Sequence, residues 1–172
     1  SLFAVLAAML CLGGLTARAA IYDVPTNIVC DYSVDVTTNL QAFIDSVPNG
    51  NTIRFPVRSY NATNTGYKIE GTLDVSGRNG LYIDGRGAFF HAFDPITDTN
   101  DHLHQRNRSQ WSIGGTASNI VMTNMVVYGA QTNGGANGVY DASREGQAAF
   151  NVGGQYVTII GCETYNTFGD GV

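Results

Sequence analysis

Carboxylates, histidines and arginines gather in three polar stretches of this 172-residue chain. The first, "HAFDPITDTNDHLHQRNRSQ", holds Asp94, Asp98, Asp101, His102, His104 and Arg106. The second, "GAQTNGGANGVYDASREGQ", holds Tyr140, Asp141, Arg144 and Glu145, and the third, "NTFGDGV", holds Asp170. Two carboxylates at a suitable separation are what glycoside hydrolysis needs, one to protonate the leaving oxygen and one to activate water or attack. Elimination needs a base for the proton beside a uronate carboxylate and a cation for the charge that develops, a part open to Arg144 or to a bound calcium ion. On this reading Asp170, Asp141 and Glu145 are the catalytic candidates, and Arg144, Tyr140, His102 and His104 would bind substrate.

Each assignment has a plainer alternative. His102 and His104 share a face if the segment is extended, but two imidazoles without a third ligand do not make a zinc site, so no metal site is assigned. Arg144 and Glu145 also read as a solvated ion pair, and Asp170 between two glycines as a turn residue. The glycines of "GRNGLYIDGRG" invite a phosphate-loop reading, yet no helix and no lysine follow them; turn glycines explain them.

The elements that must position these groups begin after residue 19. Residues 1–19 carry the apolar run "LFAVLAAMLCL" and end with small residues at Ala17 and Ala19, the pattern of a signal peptide lacking its basic front. The run is too short to span a membrane, so a secreted protein without a membrane anchor is expected, with one domain over residues 20–172. Nine basic against fourteen acidic side chains give a net charge of −5, which argues against nucleic acid as a partner. Cys30 and Cys162 could pair outside the cell, or Cys162 could be buried as a small apolar residue. The sequons at Asn61 and Asn107 matter only in a glycosylating host.

One helix is expected, in "TNLQAFIDSVPNG". Thr38 and Gln41 form a capping-box pattern, Leu40, Phe43, Ile44 and Val47 fall on one stripe, and Pro48, Asn49 and Gly50 end it. Short strands follow one another from there. Setting Leu81, Ile120 and Val157 in register, 39 and 37 residues apart, also aligns Ile83, Met122 and Ile159, and brings Gly85, Asn124 and Gly161 to one turn position. Each period holds further short strands, so three strands per rung and internal ladders of Ile, Val, Met and Cys are expected. The three polar stretches would then leave from one flank.

The helix segment, "YKIEGTLDVSGRNGLYIDGRGAFFHAF", "SNIVMTNMVV" and "QYVTIIGCETYNTFGDGV" resemble the secreted right-handed parallel β-helix proteins of the pectin lyase-like superfamily, from about Asp35 onward. The resemblance implies an all-β fold, a right-handed parallel β-helix built as a solenoid of three-strand rungs with an N-terminal capping α-helix. It implies a carbohydrate-active protein that acts on or binds polysaccharide, a polysaccharide lyase or glycoside hydrolase; the alternative is a non-catalytic glycan-binding or tailspike-like surface scaffold. "NTFGDG" is similar in part to the "NTD" setting of a catalytic aspartate in the polygalacturonase group, with Phe168 and Gly169 interrupting it. Members of the superfamily have more rungs than fit here, so the sequence is expected to be an N-terminal fragment whose last strands present an unpaired edge.

Overall fold

Leu40 and Ile44 form the buried stripe of α1 (Thr37–Ser46), and Val47, its extended C-cap, continues that stripe; each of the three is fully buried. Burying each is worth about 1.5–3 kcal/mol, which an isolated ten-residue helix could not supply from its own hydrogen bonds. The capping box is not used. Val36 is the N-cap, and Gln41 turns away to bond the backbone of Asp74 through both ends of its amide. Asp35 does the polar work at this end: its Oδ1 accepts from the Thr37 amide and hydroxyl and from the Glu70 amide. Thr37 Oγ1 in turn accepts from the Glu70 and Gly71 amides, so a buried hydroxyl ties the helix to the sheet.

The computed structural model describes residues 19–57, 66–92, 108–130, 146–169 and 171. In chain order the strands are β1 (Ile21–Asp23), β2 (Asp31–Asp35), then after α1 β3 (Thr52–Arg54), β4 (Gly66–Ile69), β5 (Leu73–Asp74) and β6 (Tyr82–Ala92). β7 (Trp111–Ile113), β8 (Val121–Tyr128), β9 (Phe150–Val152), β10 (Thr158–Ile160) and β11 (Glu163–Tyr165) follow. All pairings are parallel.

The register expected from the repeat is present. Tyr82 pairs with Val121 and Val121 with Thr158, which sets Leu81, Ile120 and Val157 in one row and Ile83, Met122 and Ile159 in the next. The expected architecture is corrected, however. Among the described residues the strands sort into two parallel sheets, one of eight strands and one of three (β5, β7, β9), with α1 beside β5, a mixed parallel-sheet arrangement and not an all-β solenoid of three-strand rungs. The physical reason lies at the supposed turn. Asn124 adopts φ 53° and Arg86 and Gly87 adopt φ 50° and 82°, so the chain bends there while the ladder between Asp84 and Ala88 absorbs the bend as an irregularity. β6 and β8 run through it, and what the pattern read as two strands is one bent strand in one sheet. Gly85 itself serves another purpose, since a Cβ there would lie 2.6 Å from the Asn124 carbonyl oxygen of the next repeat.

The core sits between the sheets, where Phe55, Tyr67, Phe90 and Trp111 interlock. Phe90 meets Phe55 and Trp111 edge-on at centroid distances of 5.2 and 5.3 Å and stacks on Tyr67 at 5.5 Å. Cys30 and Cys162 are half-buried and are not joined to each other, so that disulfide alternative is not realised.

Candidate functional site

Tyr67, Phe90 and Val127 point inward from β4, β6 and β8, so the period of two along a strand turns Lys68, His91 and Tyr128 outward. Register then places Tyr165 of β11 beside Tyr128. The result is a column of outward-facing rings across the eight-stranded sheet. His91 and Tyr128 stack at 4.9 Å with planes 7° apart, Tyr128 and Tyr165 at 5.1 Å and 19°, and Tyr32 of β2 meets His91 edge-on at 4.8 Å. Phe89 flanks the column, 6.0 Å from Tyr128. Gly66 makes room for it: a Cβ there would come within 2.6 Å of the His91 ring.

The chemistry of this face follows from the stacking. Ring planes that lie on one another cannot also lie on a ligand, so the column offers its edges, phenol hydroxyls and imidazole nitrogen. Burial pushes the His91 imidazole below its usual range, so near neutral pH it is an uncharged donor and acceptor. Charge on the same face comes from the Lys68–Glu70 ion pair at 3.0 Å, while the Tyr165 hydroxyl donates to Glu163 at 2.6 Å.

The column lies at the strand ends from which the polar stretches depart. β6 ends at Ala92, before residues 93–107, and β8 ends at Tyr128, before residues 131–145; Tyr165 is the last residue of β11. The returning stems are also neighbours, since Trp111 pairs with Phe150 and the Gln110 amide donates to Ala148 at 2.9 Å. A buried arginine fixes this corner. Arg108 donates through Nε to the Glu70 carbonyl at 2.7 Å and through a terminal nitrogen to the Ile69 carbonyl at 3.0 Å. Gln110 Nε2 donates to the Tyr128 carbonyl, joining the first return stem to the end of β8.

The sequence-derived candidates Asp170, Asp141, Glu145, Arg144, Tyr140, His102 and His104 all lie outside the described residues, as do residues 1–18 and the sequon at Asn61. What the structure brings together is the pair of exit stems and the pair of return stems. The ring column was missed by reading only the polar stretches, although one signal was present: His91, Tyr128 and Tyr165 recur every 37 residues. Among the described residues no three of His, Cys, Asp and Glu converge in a metal-binding group, and no helix is long and apolar enough to cross a membrane. No family model, no curated protein and no solved structure matches this chain.

Proposed function

We propose that this protein is exported and binds polysaccharide along the flank where the three polar stretches leave the sheet, beside the column of Tyr32, His91, Tyr128 and Tyr165. The observation that carries the reading is the juxtaposition of that outward column with the loop stems. A row of ring edges on a rigid sheet supplies evenly spaced hydrogen-bond partners for the hydroxyls of an extended sugar chain, and the polar stretches that start from the same strand ends supply specificity. Export rests on the apolar run "LFAVLAAMLCL" followed by small residues at Ala17 and Ala19. If the bound polymer is also cut, Asp170, Asp141 and Glu145 are the acid and base groups, Arg144 or a calcium ion balances charge in an elimination, and Tyr140, His102 and His104 hold the sugar.

Titration calorimetry against neutral and uronate-containing polysaccharides tests this, with Tyr128→Ala as the probe. Loss of one outward ring and its hydroxyl should weaken binding at least about fivefold, near 1 kcal/mol. Turnover is read separately, as new reducing ends or unsaturated-uronate absorbance, and Asp170→Asn should remove it. Failure to bind any polysaccharide, or unchanged affinity in Tyr128→Ala, defeats the proposal.

A further inference from the structure

The ring column presents uncharged groups inside an acidic surround. Burial lowers the His91 imidazole and raises the Tyr32 phenol, so both are neutral near pH 7. Lys68 and Glu70 act on the Tyr32 phenol in opposite senses, and the two are ion-paired at 3.0 Å. Arg108, the other cation at this corner, is buried with its guanidinium on the Ile69 and Glu70 carbonyls. Two further carboxylates stand beside the ends of the column. Asp31 precedes Tyr32 and is held below the usual carboxylate range by the Ser33 hydroxyl and amide that donate to it. Glu163 accepts from the Tyr165 hydroxyl at 2.6 Å. The stretches that start from the same strand ends, 93–107, 131–145 and 166–172, hold six carboxylates and two arginines.

We infer that the polymer taken by this column is a neutral polysaccharide and that polyuronates are rejected by charge, an inference that rests on reading the column as a polysaccharide site. A polyuronate brings a carboxylate with each sugar. Docking strips water from it, and a carboxylate so desolvated needs a cation or several hydrogen-bond donors in return. The column answers with single phenol and imidazole donors, and its lysine is already held by Glu70. Sugar hydroxyls make the better match. They donate and accept, as phenols and a neutral imidazole do, so each contact is satisfied without a counter-charge. The surrounding carboxylates add long-range discrimination, because like charges brought together across an interface suppress the wrong partner.

The reaction class narrows with the ligand. Elimination takes the proton beside a uronate carboxylate, which a neutral sugar lacks. Any cleavage here is therefore hydrolysis, in which the hydroxyl of water goes to the anomeric carbon and its proton ends on the leaving oxygen.

Calorimetry on the full chain tests this with matched polymers: a soluble β-glucan, a mannan and a galactan, each beside the same polymer oxidised at C6 to its polyuronate, with and without calcium. The neutral member of at least one pair should bind at least about tenfold more tightly than its oxidised form at low salt. Salt at about 0.5 M shortens the reach of charge to a few ångströms, so it should narrow that gap while leaving the neutral affinity within about twofold. Glu70→Gln removes the charge that pairs with Lys68, and Glu163→Gln removes a charge while keeping an acceptor for Tyr165. In each variant the ratio of neutral to polyuronate affinity should fall at least about threefold. Circular dichroism checks folding, and the salt series on the parent chain decides the matter should a variant unfold. Tighter binding of an oxidised member than of its neutral parent, polyuronate binding switched on by calcium, a gap that salt does not narrow, or an unsaturated-uronate product would each overturn the inference while leaving the column a polysaccharide site. Binding of no polymer at all would overturn both the inference and the reading beneath it.

Discussion

Replacing Arg78 with methionine should loosen the helix that closes the sheet. α1 has no basic residue of its own in its last turn, and Arg78, from the turn after β5, supplies the charge. Its guanidinium donates to the Ile44 carbonyl at 2.9 Å, to the Val47 carbonyl, and to Asn49 Oδ1 at 2.9 Å. Methionine keeps most of the aliphatic stem and removes all three bonds. A buried hydrogen bond to a charged group is worth about 1.5–3 kcal/mol, but Arg78 is partly exposed, so water replaces some of it and about 1 kcal/mol per bond is the better figure. A cation at the helix C-terminus adds about 0.3–1 kcal/mol. The expected loss is about 3–4 kcal/mol, or roughly 6–16 °C in Tm for a chain of this size. Urea denaturation followed by circular dichroism measures it. Arg78→Lys should recover the charge but not the fork geometry and so lie between the two. A methionine variant within about 0.5 kcal/mol of the parent would refute the reasoning, because the carbonyls would then be satisfied without Arg78.

Three further outcomes are expected. Thr37→Val keeps the shape of the residue but leaves the Glu70 and Gly71 amides without their hydroxyl acceptor, and should cost at least about 2 kcal/mol in a denaturant titration. Gly85→Ala places a Cβ against backbone of the next repeat and should destabilise by about 1–3 kcal/mol, whereas Gly50→Ala, where φ is 79° and the space is open, should show only the smaller backbone penalty. Below about pH 6.5 the unfolded chain binds a proton that native His91 refuses, so stability should fall as pH drops toward the depressed native value and level off once His91 also protonates. His91→Phe retains a ring in the column and should flatten that part of the pH profile, as read from denaturant midpoints; identical profiles for the two proteins would contradict burial as the cause.

The row positions of Leu81, Ile120 and Val157 were legible because a parallel ladder stacks like residues at a fixed offset, and that offset is written in one dimension. So was the helix, through the stripe of Leu40, Ile44 and Val47. The helix cap was not, because α1 starts at Thr37 with Val36 as its N-cap, and the Asp35 and Thr37 side chains that tie this end down do so through the amides of Glu70 and Gly71, more than thirty residues away. The number of sheets was also beyond the pattern: a positive φ at Asn124 looks the same in sequence whether the strand ends there or bends and continues.

The chain by itself determined which residues face inward, since alternation and repeat spacing follow from backbone geometry alone. Tertiary structure decided that Tyr32, His91, Tyr128 and Tyr165 stand in one column and that Arg78 closes a helix some thirty residues away. These depend on which backbones come within hydrogen-bonding distance of each other. That is a property of the packed chain, and no local run of residues carries it.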